Sequence, residues 1–252
     1  MDNIIYDSLQ MREVFHLEFL RWMSRKVKSE FYALKGGANL RFFFNSFRYS
    51  EDMDLDVSNI RVDMLKDIVM QILSNQSFQD ILKPFGIERL VNPTQHFKVH
   101  LITAAGEDLF TKVEFSRRGR NEGKVIVQPI TDTILRLYKL PPLLIPHYDT
   151  ESAIIQKIRA ISDRAVLQAR DIFDLYVLSS QYKPVKTGGA KIGNERLTKA
   201  REGILEIGFE QFRDTVVSYL SFEDQAVYGS SSSWDEIKLK ALNFIDEYTS
   251  IY

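Results

Sequence analysis

The chain has 252 residues, a net charge of -1, 44% hydrophobic and 12% aromatic residues, a composition that promises a sizeable core and excludes a disordered or collagen-like chain. With no cysteine and only four histidines, disulfides, thiolate chemistry and cysteine nucleophiles are excluded and a zinc centre is disfavoured. No apolar run approaches the ~18 residues that cross a bilayer, and Met1-Asp2-Asn3-Ile4-Ile5 lacks the basic-then-apolar pattern of an export signal, so a cytoplasmic protein without membrane partners is expected.

The length suits one large domain or two modest lobes. Residues 202 to 247 carry ten acids against three bases, which leaves the remainder at +6. The distribution is compatible with a polyanionic partner on the N-terminal two thirds, and ordinary solvated helix faces explain it equally well.

In chain order, Leu9, Val14, Leu17, Leu20 and Met23 recur at mostly helical spacing and predict a long opening helix over 8 to 30. Phe31-Tyr32-Ala33-Leu34 reads as a short buried strand, Gly36-Gly37 breaks it, and Ala38 to Phe44 resumes as a helix. Met53, Leu55 and Val57 then alternate with Asp52, Asp54 and Asp56, the period-2 mark of a strand with one apolar and one acidic face. An amphipathic helix over 62 to 74 is followed by strand-like runs at 87 to 92, 95 to 103, 109 to 116 and 124 to 130.

Pro141, Pro142 and Pro146 make 140 to 148 the expected boundary between an α/β lobe, residues 1 to 148, and a helical lobe, residues 149 to 252. Beyond it, Asp149 or Thr150 can cap a helix carrying Ile154, Ile158 and Ile161, and Asp171 to Ser180 continues in helical pattern. Residues 186 to 194 read as a loop, helices follow near 194 to 221 and 234 to 248, and Ser230 to Ser233 reads as a short linker.

The chemistry concentrates in Leu34-Lys35-Gly36-Gly37-Ala38-Asn39-Leu40-Arg41 and Tyr49-Ser50-Glu51-Asp52-Met53-Asp54-Leu55-Asp56. Two glycines between strand and helix let backbone approach a phosphate, while the helix N-terminus adds N–H donors and positive dipole. Ser50 can donate a further hydrogen bond to phosphate. Asp52 and Asp54, two apart on a strand, project to one side, and paired carboxylates suit Mg²⁺ on a triphosphate. Each feature alone is more often a turn or a solvated strand face. Together they say more, because aspartate disfavours strands and three alternating aspartates repel one another unless a cation compensates.

Glu114, in Lys112-Val113-Glu114-Phe115-Ser116, offers a third carboxylate, with a salt bridge as its plain alternative; Arg117-Arg118-Gly119-Arg120 is basic enough to meet RNA phosphates. Lys157 and Asp171 lie 14 residues apart, close to four turns, so an unbroken helix would show both on one side with Arg164 midway. The plain alternative there is a surface lysine and an Arg170 to Asp174 ion pair within the helix. Two aspartates flanking Ile172-Phe173 sit close to an apolar face, which favours one of them being buried and functional.

In these segments the sequence resembles the AbiEii-like nucleotidyltransferase toxins of type IV toxin-antitoxin and abortive-infection systems. Leu34-Lys35-Gly36-Gly37 through Ser50-Glu51-Asp52-Met53-Asp54 looks like the family's first motif, Lys112-Val113-Glu114-Phe115 its second, Gln156-Lys157-Ile158-Arg159-Ala160 its third and Ala169-Arg170-Asp171-Ile172-Phe173-Asp174-Leu175 its fourth. Where the third motif often has glutamate before its lysine, this chain has Gln156. The resemblance implies an α+β protein: a polymerase-β-like nucleotidyltransferase lobe, a mixed sheet with flanking helices, joined to a C-terminal helical lobe, with the active site between them. It also implies Mg²⁺ (or Mn²⁺) on Asp52, Asp54 and Glu114, and a nucleoside triphosphate held by Lys35, Gly36, Gly37, Ser50 and Lys157. Asp171 would orient Lys157 or deprotonate the acceptor, which is expected to be RNA such as the tRNA 3′ end, and a cognate antitoxin protein or repressor would oppose the toxin. A nucleotide-binding regulator without turnover is the main alternative; a metal-dependent nuclease explains neither Gly36-Gly37 nor Lys157 as naturally.

Overall fold

A computed structural model of the chain describes residues 5–91, 97–117, 123–182 and 192–251. The elements are α1 (Ser8–Lys26), β1 (Tyr32–Lys35), α2 (Gly36–Phe43), β2 (Met53–Val57), α3 (Val62–Leu73), α4 (Gln76–Leu82), β3 (Ile87–Val91), β4 (Lys98–Thr103) and β5 (Asp108–Ser116). They continue with β6 (Val125–Pro129), α5 (Asp132–Leu137), β7 (Leu144–Tyr148), α6 (Thr150–Asp163), α7 (Ala169–Ser179), α8 (Asn194–Glu206), α9 (Phe209–Thr215), α10 (Phe222–Tyr228) and α11 (Ser231–Ile251). This α+β chain divides into two compact units: Met1–Phe42 with Tyr49–His147, and Phe43–Arg48 with Tyr148–Tyr252.

The first unit is a seven-stranded mixed sheet in the order β3-β4-β5-β2-β1-β7-β6. β2 lies antiparallel to β1 and parallel to β5, and β5, β4 and β3 form an antiparallel meander. α1 starts at a capping box, Asp7 accepting from the Gln10 amide and Gln10 from the Asp7 amide, and stops where Val27 turns extended. It packs on α3, α4 and β5 and buries Val14, Phe15, Leu17, Phe19, Leu20 and Met23. So wide an apolar surface explains why its spacing was only roughly helical: α1 is covered on several sides. Its buried Glu13 accepts from Arg41 Nε at 2.6 Å and from the Tyr138 hydroxyl at 2.6 Å, tying α1 to α2 and to the end of α5. Burial and the Glu13 carboxylate together raise the Tyr138 pKa.

The second unit is helical. Phe47 stacks on Tyr228 with centroids 4.6 Å apart and meets Phe173 edge-on at 5.0 Å, so residues 43 to 48 belong to this core although they fall between β1 and β2 in sequence. Trp234 of α11 stacks on Phe212 at 4.4 Å and gives its indole N–H to the Ile207 carbonyl.

Three expectations need correction. The prolines at 140 to 148, expected to interrupt a sheet ladder at the lobe boundary, do not prevent a strand there: Leu144–Tyr148 forms β7, parallel to β1 in register at Leu34↔His147. Proline lacks the ladder donor, but that pairing falls one residue beyond Pro146. The serines at 230 to 233 are a helix start rather than a linker: Ser230 Oγ accepts from the Ser233 amide as α11 begins. Lys157 and Asp171 do not share a helix, since α6 ends at Asp163 and Arg164 is extended. The loop expected at 186 to 194 and the Arg118-Gly119-Arg120 run lie largely or wholly outside the described residues. No described helix is long and apolar enough to cross a membrane.

Candidate active site

β1 ends at Lys35 and the chain turns at Gly36, whose φ of +68° is left-handed, a backbone state that costs an L side chain roughly 1–2 kcal/mol. A second constraint acts there. A Cβ at Gly36 would lie 2.6 Å from Asp54 Oδ2, so glycine is required by both the turn and the close approach of the acidic strand. Gly37 follows as the second residue of α2, whose first-turn amides have no intrahelical partner.

On β2 the alternation holds, Met53, Leu55 and Val57 being buried on one side with Asp54 and Asp56 on the other. Asp54 pairs in register with Lys35 on one side and Glu114 on the other, which sets the two carboxylates about 4.8 Å apart at their backbones. Asp52 stands one residue ahead of the strand. Asp56 is buried and binds Lys35 Nζ at 2.5 Å. Glu114 forms an ion pair with Lys112, two residues back on its own strand, so the salt bridge weighed as its alternative is present, within the strand rather than across it. Ser50 Oγ donates to the Asp52 carbonyl at 2.7 Å; here the hydroxyl shapes the turn into β2.

Among the described residues no three His, Asp, Glu or Cys side chains are gathered into a ready cation cage. The donor set nevertheless fits a hard cation. Carboxylate oxygens are the ligands such ions take, and Gly36 leaves open the space beside Asp54 Oδ2 that a Cβ would fill.

A different cluster lies in the second unit. Lys157 of α6 meets Asp171 at 2.9 Å and Asp174 at 2.6 Å, both on α7. Asp174 also binds Arg48 at 3.1 Å, and Asp171 Oδ2 lies 2.9 Å from Arg164. The result is a ladder of alternating charge, Arg48, Asp174, Lys157, Asp171, Arg164. Both aspartates are buried, where one was expected, and Asp174 pairs away from its helix rather than with Arg170. Burial opposes charge on Lys157, but the Asp174 and Asp171 carboxylates outweigh it and raise its pKa. Burial likewise opposes charge on Asp174, and Arg48 and Lys157 outweigh it and lower its pKa.

Sequence reasoning missed Arg48 altogether and saw Asp174 only as a local ion-pair partner. The available signal was Asp174 itself, three residues after Asp171 and so on nearly the same helix face. Nothing near Arg48 marks a partner 126 residues away.

A family model described as nucleotidyl transferase AbiEii toxin, type IV toxin-antitoxin system, matches residues 18–224. The chain belongs to the AbiEii family. It is thus a nucleotidyltransferase of the type IV toxin group. Among solved structures, MenT4, a nucleotidyltransferase toxin from Mycobacterium tuberculosis, is similar at 17% identity and a TM-score of 0.54, over 93% of this chain and 82% of that one. JHP933 from Helicobacter pylori is similar at 17% identity and 0.52, over 96% and 92%. A nucleotidyltransferase-like structure from H. pylori gives 16% and 0.52, over 95% and 96%. At such identities the likeness speaks for the fold. No curated protein matches the AbiEii chain in a sequence search.

Proposed function

We propose that this AbiEii chain transfers a nucleoside monophosphate from a nucleoside triphosphate to a hydroxyl of an RNA acceptor, with the tRNA 3′ end the favoured one, and so acts as a toxin that a cognate antitoxin protein or repressor opposes. Asp52, Asp54 and Glu114 hold Mg²⁺, or Mn²⁺ in its place. Such an ion, when bound, neutralises triphosphate oxygens and lowers the cost of developing charge. The chain's own part is positional. The β1–α2 turn at Gly36 and Gly37 receives phosphate on backbone N–H groups, and the acceptor oxygen, giving its proton to solvent water, bonds to the α-phosphorus as the bond to the β-phosphate breaks and pyrophosphate leaves. Lys35 and Ser50 enter as neighbours of the phosphates, with Ser50 acting through the turn it closes onto the Asp52 carbonyl. Lys157 offsets triphosphate charge, and the 2.9 Å bond from Asp171 supports an orienting role for that aspartate.

The observation that carries this assignment is the register Asp54↔Glu114, beside a glycine that a Cβ would drive into Asp54. RNA as acceptor draws support from the same sheet face farther along. There Lys98 and Lys112 stand directly opposite each other, and His100 stacks on an exposed Phe110. Like charges opposed across a ladder repel, and an exposed aromatic near two lysines suits nucleobases and phosphates, although Asp108 and Glu114 also border it.

The test is direct. Purified protein, Mg²⁺, each labelled nucleoside triphosphate in turn, and total cellular RNA or protein should label RNA, and tRNA within it. Label on protein alone would overturn the acceptor, and no label with any nucleotide would overturn the transfer. In cells without antitoxin, the wild-type chain should slow growth and Asp52→Ala should not; equal harmlessness would remove the toxin role.

A further inference from the structure

Asp52 stands one residue before β2. The parallel ladder between β2 and β5 begins at Met53↔Val113, so Asp52 lies one residue before any pairing. Two residues before that pair come Glu51, ahead of β2, and Thr111, on β5. The bond between them is not a backbone bond: Thr111 Oγ1 donates to the Glu51 carbonyl at 2.7 Å. A side chain thus extends the ladder past its end, to the residue next to Asp52.

Thr111 is in turn held. His16 Nε2 lies 2.8 Å from Thr111 Oγ1, and both side chains are buried. A hydroxyl has one proton, and a carbonyl can only accept, so Thr111 must give its proton to Glu51 and accept from His16. His16 therefore carries a proton on Nε2, and burial and the nearby Arg12, which push its pKa down to about 3, keep the ring neutral. The direction of every bond is determined, from α1 through β5 to the loop.

We infer that Thr111 and His16 are positioning residues for Asp52, forming a buried relay, His16 Nε2–H to Thr111 Oγ1–H to Glu51 C=O, that places the first carboxylate for cation binding. The inference rests on the proposed role of Asp52 as a cation ligand. Ligating carboxylates need placement within about 0.5 Å, and losing an outer partner typically costs 10–100-fold in metal affinity. Ser50 Oγ on the Asp52 carbonyl supplies the second anchor of the same loop.

The probe is Mn²⁺ alone, its binding read from loss of the free-ion paramagnetic signal, on the full chain and on four variants. Thr111→Val keeps the shape and removes the hydroxyl, and should weaken Mn²⁺ binding by about 10-fold or more; Thr111→Ser should restore it. His16→Gln, which keeps a donor, should fall between them. Asp52→Ala should lose most of the binding. If Asp52→Ala binds poorly while Thr111→Val binds as the wild type, the relay is overturned and the carboxylate assignment stands. If Asp52→Ala binds as the wild type, both fall. A measurement needing no stable variant at Thr111 is the ¹⁵N spectrum of histidine-labelled wild-type protein, assigned with His16→Gln. A proton on Nε2 of His16 at neutral pH is expected, and an unprotonated Nε2 would overturn the relay.

Discussion

Asp54 and Glu114 stand side by side on the sheet of the first unit, partly open, with Asp52 just ahead and lysines at the margins. Asp171 and Asp174 are buried in the second unit, and each lies between two cations. Among the described contacts, lysines meet the sheet carboxylates at Asp56 and Glu114, whereas Lys157 is shared by both helical aspartates. On the proposed reading, that difference separates carboxylates that take an external cation from a lysine already held by two carboxylates. It implies opposite responses to mutation: removing a sheet carboxylate relieves repulsion and costs function, whereas removing a member of the ladder strands a buried charge and costs stability.

The largest effect is therefore expected at Lys157. Lys157→Ala leaves buried Asp174 to Arg48 and buried Asp171 to Arg164, and breaking such a network typically costs about 3–5 kcal/mol. Urea unfolding measures it, and a loss under about 1 kcal/mol would show that the ladder is not what holds α6 to α7. The pH dependence follows by sign. Asp174 is lowered in the folded state, so its contribution is present above the unfolded carboxylate range of about 4 and is lost as pH falls through its lower folded value. Lys157 is raised, so its contribution is complete below about 10.4 and is lost as pH rises through its higher folded value. The stability gap between wild type and Lys157→Ala should thus be level from about pH 5 to 9 and narrow at both ends.

Next in size is Asp54→Asn. Nucleotide transfer should fall by more than roughly 100-fold, beyond the usual cost of an outer metal partner, while urea stability stays within about 0.5 kcal/mol of wild type or rises. Retained Mg²⁺-dependent turnover would remove Asp54 from the site. A large loss of stability would make the sheet cluster resemble the ladder and erase the contrast between the two units.

Gly36→Ala joins backbone and site in one change. Strain at φ +68° should cost about 1–2 kcal/mol of stability, and the new methyl must push Asp54 aside. Gly37→Ala, one residue into the helix, is the control. If the two variants lose equal transfer activity, the close approach at Asp54 is not what the first glycine provides.

The sheet site was legible because its signals are local: a glycine pair after a short strand, then aspartates at period 2, lie within 21 residues. Lys157 and Asp171 came from family motifs, and the spacing argument does not apply, since it required an unbroken helix and α6 ends at Asp163. Arg48 was out of reach because its partner is far along the chain and residues 43 to 48 leave the sheet unit they interrupt. β7 was hidden by its proline, which argues against a ladder at the lobe boundary, whereas the pairing with β1 falls at His147, one residue beyond it. His16 and Thr111 look like core residues in sequence; only the hydrogen-bond directions give them a role.

The smallest expected effect tests whether the lysines at the sheet are placeholders or partners. Lys112 and Glu114 form a pair on one strand, each side chain about a third exposed or more. If Glu114 binds a cation, Lys112 must release it. The pair then opposes metal binding by what it contributes in the free protein, roughly 0.2–1 kcal/mol for a pair this exposed. Lys112→Ala should therefore lower the Mg²⁺ concentration that half-saturates transfer, by no more than about fivefold. The freed ammonium has a second use in the wild type, because Lys98 stands opposite it and both would face an RNA acceptor. The same variant should then bind RNA less tightly and with a shallower salt dependence, the slope falling by about one phosphate contact. A lower Mg²⁺ requirement with unchanged RNA binding would make Lys112 a placeholder alone. Weaker RNA binding with an unchanged Mg²⁺ requirement would indicate that Glu114 remains with a lysine or stands free, and that Asp52 and Asp54 hold the cation without it.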